Sequence, residues 1–118
     1  MLFKGCGINI VKPFTDTNEV DFDSLGRLVD TYINIGAKAL ILGRTTGEFF
    51  AMSDNEILEV VDFVVKRADK RLPVLAQTGL NDTCRSVVLS IRARALGLDG
   101  LIIASPYYSQ GNGVTILI

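Results

Sequence analysis

Ala39-Leu-Ile-Leu-Gly-Arg-Thr-Thr-Gly-Glu48 is the stretch whose reading decides the fold. Its first half is a short apolar run without alternation, the pattern of a strand buried on both faces. Its second half places two adjacent hydroxyls, Thr45 and Thr46, where that strand would end. In α/β proteins with parallel strands, the carboxyl edge of the sheet is where ligands bind. Gly and Thr at such an edge offer backbone N–H groups and hydroxyls to an anion. A Thr-Gly pair also punctuates ordinary loops, so the stretch by itself leaves a plain turn open.

On either side of this stretch, short apolar runs alternate with segments of helical period. Gly7-Ile-Asn-Ile-Val11 reads as a first strand, stopped by Pro13. Asp21 or Asp23 can cap a helix that presents Phe22, Leu25, Leu28, Val29, Tyr32 and Ile33 at helical spacing. Gly36 ends it, and Ala39–Leu42 is the second strand. Ser53-Asp-Asn-Glu56 has the form of a capping box, and the helix behind it carries Ile57, Val60, Val61, Val64 and Val65. Pro73–Ala76 is a third strand. Asn81 or Asp82 can cap a third helix, with Cys84, Val87, Val88, Ile91 and Ala95 expected inward. Gly97 ends that helix, and Leu101–Ala104 is a fourth strand. The segments 35–42 and 96–103 echo each other as helix end, glycine and buried strand, which supports a shared βα architecture. Four such strands imply a parallel sheet joined by right-handed crossovers. Ser105-Pro-Tyr-Tyr108 then falls on the same edge as the two threonines. Packing alone would account for two tyrosines at a rim.

Composition narrows the function classes. The 118 residues suit one domain at most. With 48% hydrophobic and 21% charged residues, the chain can build a core and is not disordered. A net charge of −1 provides no basic field for nucleic acid. No apolar run approaches the roughly 20 residues of a membrane span. Met1-Leu-Phe-Lys-Gly5 lacks a long apolar segment, so no signal peptide is expected and the cytoplasm is the expected location. Two distant cysteines, Cys6 and Cys84, and no histidine argue against a zinc site and for free thiols. Neither a metal nor a cofactor is expected.

Five motifs then fall in order. Val11-Lys-Pro-Phe14 resembles a first-strand Val-Thr-Pro-Phe. Val20-Asp-Phe22 resembles the entry to a first helix. Thr45-Thr-Gly-Glu48 matches most of a Gly-Thr-Thr-Gly-Glu signature. Thr78-Gly79 with Asn81 matches a loop after a third strand, and Pro106-Tyr-Tyr108 matches a Thr-Pro-Tyr-Tyr motif. From residue 4 to residue 110 the spacing resembles that of the 4-hydroxy-tetrahydrodipicolinate synthases, also called dihydrodipicolinate synthases. These are Schiff-base lyases related to N-acetylneuraminate lyase, which usually has Ser-Thr where this chain has the paired threonines.

The resemblance implies the N-terminal half, four parallel strands with intervening helices, of a TIM (β/α)8 barrel. It implies condensation of pyruvate with L-aspartate semialdehyde, in lysine and diaminopimelate biosynthesis, through an imine on a sixth-strand lysine. A fifth-strand tyrosine would act as proton donor, through a relay formed by Thr45 and Tyr108. Thr46 would hold the pyruvate carboxylate, and Asn81 and Tyr107 would match the contacts of an allosteric lysine. The resemblance also implies a homo-oligomer, because Tyr108 would cross into a neighbouring subunit. The relay suits the chemistry, since a Thr–Tyr chain moves a proton without fixing a charge beside the imine.

Departures from the pattern shape the expectations. A full barrel takes about 250 residues, so residues 1–110 read as a partial barrel and residues 111–118 as a divergent tail. That change suggests a frameshift, a truncation or a fragment. The fifth-strand tyrosine is absent, and none of Lys4, Lys12, Lys38, Lys66 and Lys70 matches the imine position. Arg44 replaces a glycine, Lys12 a threonine and Gln77 a glycine. Nothing in the sequence marks Lys12 as desolvated, so it is expected to be exposed and protonated. Arg85 stands where lysine-regulated enzymes have a glutamate, and its charge would repel an ammonium effector. The reading is a truncated synthase-type lyase, inactive alone. Alternatives are a noncatalytic half-barrel that pairs with itself or with a supplied second half, a degenerate remnant, or the first half of another pyruvate-dependent aldolase such as N-acetylneuraminate lyase.

Overall fold

A computed structural model describes residues 1–43 and 45–107. Along the chain it forms β1 (Gly7–Asn9), α1 (Phe22–Asn34), β2 (Ala39–Leu42), α2 (Asp54–Ala68), β3 (Val74–Gln77), α3 (Thr83–Ala95) and β4 (Gly100–Ile102). The four strands lie side by side in chain order and every pairing is parallel. The expected strands are all present with shifted ends: β1 stops at Asn9 instead of Val11, β3 runs one residue later, and β4 is Gly100–Ile102 instead of 101–104. The divergence expected over 111–118 lies outside the described residues, as do Arg44 and Tyr108.

The register shows how the sheet separates two environments. Asn9 pairs with Ile41, Ile41 with Leu75, and Leu75 with Gly100, forming one row across the sheet. Side chains alternate faces along a strand. Leu40, Leu42, Val74 and Ala76 point to the other face and are buried under the helices, beside Leu25, Val29, Ile57, Val60, Val61, Val64 and Leu89. Asn9, Ile41, Leu75 and Ile102 are only half-buried. At the amino end of the sheet, Leu2 and Phe3 cross this barer face. A Cβ on Gly7 would meet the Phe3 ring at 3.1 Å, and one on Gly100 would meet Leu2 at 3.1 Å.

The helix ends follow local chemistry. Asp21, not Asp23, caps α1, its carboxylate accepting from the Ser24 N–H at 3.0 Å. The bonds from Ser24 hold the Asp21 carboxyl below its usual range. Ser53 and Glu56 close the expected capping box of α2, the Ser53 N–H donating to Glu56 Oε2 at 2.7 Å. Asp82, not Asn81, caps α3. Gly36 and Gly97 follow α1 and α3 at φ +92° and +100°, where a side chain would be strained.

One expectation is overturned. Cys84, Val87, Val88, Ile91 and Ala95 of α3 are exposed, Ile91 to 64%. The buried face is Ser86, Leu89, Ser90 and Ala93. The reason lies in the loop after β3, which brings polar groups under the helix. Ser86 Oγ accepts from the Leu80 N–H at 2.8 Å, and Ser90 Oγ bonds Thr78 Oγ1 at 2.7 Å, where Thr78 is fully buried. Buried donors and acceptors need partners, and serines supply them while letting the helix come close.

Candidate functional site

The threonine turn follows directly from the end of β2. Gly43 has φ +98°, and a Cβ there would lie 2.7 Å from the Phe49 ring, so only glycine fits. The Gly47 N–H donates to the Gly43 carbonyl at 3.0 Å, and the Glu48 N–H donates to the Thr45 carbonyl at 3.2 Å. A Cβ on Gly47 would sit 2.8 Å from the Gly43 oxygen. Glu48 adopts the left-handed conformation at φ +55° and leads into a short 3-10 turn, Phe49–Ala51. Thr45 and Thr46 are left exposed at the carboxyl edge.

Asn9, at the end of β1, joins them. Its hydrogen-bond partners assign its amide nitrogen toward the carbonyls of Ile41 (3.2 Å) and Gly43 (3.3 Å). Its oxygen then faces the Thr46 hydroxyl 3.4 Å away. A polar residue inside the apolar run Gly7–Val11 is the sequence signal for this position, which strand periodicity alone does not single out.

Lys12 corrects a second expectation. It is 8% exposed and sits under the turn on the helix side of the sheet. Its ammonium donates to the Gly47 carbonyl at 3.0 Å, contacts Met52 Sδ, and lies 5.0 Å from the centre of the Phe14 ring and 5.9 Å from that of Phe49. None of the ion pairs among the described residues involves it. Burial lowers its pKa from 10.5, an effect that the Glu48 and Glu56 carboxylates partly offset. The unfolded chain therefore keeps this proton to higher pH than the folded one does. Stability should rise as pH climbs from the folded Lys12 midpoint toward 10.5, and be lower below that window. Urea titrations from neutral pH to pH 10.5 should show this rise in the wild type and a flatter profile in Lys12→Met. Parallel profiles would contradict it.

The loop after β4 meets the start of α3 at a second cluster. The Tyr107 N–H donates to Asn81 Oδ1 at 2.7 Å, and the Tyr107 ring packs edge-on against Phe50 with centres 4.9 Å apart. Asn81 and Tyr107, paired in the sequence reading, are thus in contact. Arg85 does not stand as a lone charge. Its guanidinium holds Asp54 Oδ1 at 2.6 and 2.9 Å, and that carboxylate raises the Arg85 pKa. Tyr108, expected to complete the relay with Thr45, lies outside the described residues.

A parallel βα sheet with hydroxyl and amide donors at its carboxyl edge defines the class of α/β proteins that bind ligands above the strand ends. Comparisons with known proteins narrow this. The model of the Dihydrodipicolinate synthetase family matches residues 2–115. A 4-hydroxy-tetrahydrodipicolinate synthase of Caldicellulosiruptor bescii is 47% identical over 109 residues, covering 92% of this chain and 37% of that protein. A dihydrodipicolinate synthase from Bacillus anthracis superposes with a TM-score of 0.90 at 34% identity, covering 95% of this chain and 39% of that one. The prophage protein YagE of E. coli K12, solved in complex with pyruvate, gives a TM-score of 0.91 at 28% identity over 95% of this chain and 38% of its own. This chain belongs to the dihydrodipicolinate synthetase family. It corresponds to the N-terminal part of the family's TIM barrel and spans a little over a third of the length of the relatives it matches. Among the described residues, no helix is long and apolar enough to cross a membrane.

Proposed function

We propose that this chain carries the N-terminal part of a 4-hydroxy-tetrahydrodipicolinate synthase-type active site, which in a complete barrel condenses pyruvate with L-aspartate semialdehyde through a lysine imine. The observation that carries this reading is the Thr45–Thr46 turn, fixed at the carboxyl edge of β2 with Asn9 beside it. The pyruvate named with a structural neighbour supports the choice of a 2-oxo acid. In this reading the Thr46 hydroxyl and the backbone N–H groups of the turn hold the pyruvate carboxylate, which needs no basic side chain. Thr45 passes a proton to Tyr108, and Asn81 with Tyr107 stands where the family has its effector contacts. The Arg85–Asp54 pair beside that contact is a poor match for an ammonium effector, and lysine inhibition is not expected. The enzyme would act in the cytoplasm.

The imine lysine has no counterpart among the five lysines of the chain. Lys12, nearest to the turn, faces the helix layer and not the open face of the sheet. The 118-residue chain is therefore expected to be inactive alone. Purified chain incubated with pyruvate and borohydride should keep its intact mass. The same treatment of a version extended to barrel length should add one pyruvyl group. A stoichiometric adduct on the short chain, or none on the extended one, would sink the proposal.

A further inference from the structure

Lys12 is a buried cation that the proposed chemistry does not use, and its place suggests a task. Its ammonium donates to the Gly47 carbonyl at 3.0 Å. That oxygen and the Glu48 nitrogen belong to one peptide group. The Glu48 N–H donates in turn to the Thr45 carbonyl at 3.2 Å. The Thr45 oxygen and the Thr46 nitrogen belong to the next peptide group. The path from the ammonium thus crosses two peptides and ends on the Thr46 N–H, at the exposed lip of the turn.

We propose that Lys12 is a positioning residue for the threonine turn, whose ammonium polarises this two-peptide relay and makes the Thr46 N–H a stronger donor to a carboxylate. The claim rests on the reading of the turn as a carboxylate site. Hydrogen bonds in series reinforce one another, and a charged donor at the head of the series is stronger than a neutral one. The geometry keeps the charge directed along the relay. Phe14 and Phe49 flank the ammonium and Met52 caps it. The two carboxylates that face it, Glu48 from the turn and Glu56 from the first turn of α2, act at a distance without an ion pair. Glu56 is already engaged by Ser53. The close approach of Gly47 to Gly43 and the left-handed Glu48 fix the backbone of the turn between the two carbonyls.

Carbon-detected nuclear magnetic resonance of the labelled chain between pH 7 and pH 11 tests this, with acetate as the carboxylate probe. The Lys12 Cε shift reports the ammonium, and the Thr45 carbonyl and Thr46 nitrogen shifts report the end of the relay. All three are expected to share one midpoint. Glu48→Gln should move the three midpoints down together. Lys12→Met should abolish the titration at Thr45 and Thr46, whereas Lys12→Arg should hold both shifts at their low-pH values throughout. Acetate should perturb Thr46 with an affinity that falls about threefold as Lys12 deprotonates, the modest change expected of a polarised bond. Thr45 and Thr46 shifts that ignore the Lys12 midpoint, or that titrate alike in Lys12→Arg, would overturn the relay. A relay that titrates while acetate stays silent at every pH would overturn the carboxylate reading beneath it, and with it the donor role.

Discussion

Replacing Thr46 with valine in a barrel-length version of this chain is expected to raise the KM for pyruvate by about 10- to 100-fold, the effect of losing one hydrogen bond to a charged group. Valine keeps the shape of threonine and the backbone N–H but removes the hydroxyl. That hydroxyl faces Asn9 on the exposed turn. Thr45→Val should behave differently. Its hydroxyl is assigned to proton transfer, so kcat should fall about 100-fold with KM little changed, the scale of a lost acid–base group. Steady-state kinetics of the two variants would separate the roles. Equal effects of both substitutions on both parameters would refute the assignment. Asn9→Ala gives a useful control, since it frees the Thr46 hydroxyl without removing it.

The isolated 118-residue chain is expected to sediment as a species at least twice its own mass. Among the described residues, β1 has a neighbour only in β2 and β4 only in β3, so each offers an open edge. Open edges recruit further strands. The face of the sheet that carries Ile41, Leu75 and Ile102 is only half-covered. On the opposite side of the molecule, Val88 and Ile91 of α3 are 54% and 64% exposed. Exposed apolar groups that lie close together favour association. Sedimentation equilibrium across a concentration series would decide the matter. A concentration-independent monomer that melts in one cooperative transition would show that the four-stranded unit is self-sufficient.

Much of the framework could be read from residues alone, and the errors have identifiable causes. The capping box of Ser53 and Glu56 is a local interaction between residues three apart, so its sequence form and its structure coincide. The unbroken apolar run at Ala39–Leu42 likewise dictates a buried strand wherever it is placed. For α3 the same logic failed. Cys84, Val87, Val88, Ile91 and Ala95 read as inward because burial of apolar area usually dominates. The decisive partners, Thr78 and the Leu80 backbone, come from another element, and sequence spacing does not reveal them. Lys12 differs from its sequence reading for a related reason. A lysine beside a proline reads as a surface residue until Gly47 and Met52 close over it. Arg85 and Asp54 are 31 residues apart, and only the packing of α2 against α3 brings them together. The threonine turn itself was legible because its glycines, its hydroxyls and the strand before it are contiguous. Asn9, which completes it, comes from another strand, 37 residues before Thr46.

Among the described residues, the order of strands in the sheet repeats their order in the chain. Among the described residues, β2, β3 and β4 each therefore find a partner in the strand made just before. Short-range closure carries a small entropic penalty and favours rapid folding. On a ribosome, β1, α1 and β2 could dock as soon as they emerge, and each later βα step would extend an existing template. The threonine turn would then take its shape early, before the later strands of a barrel have been made. A site assembled in this vectorial way is inherited by whatever sequence follows.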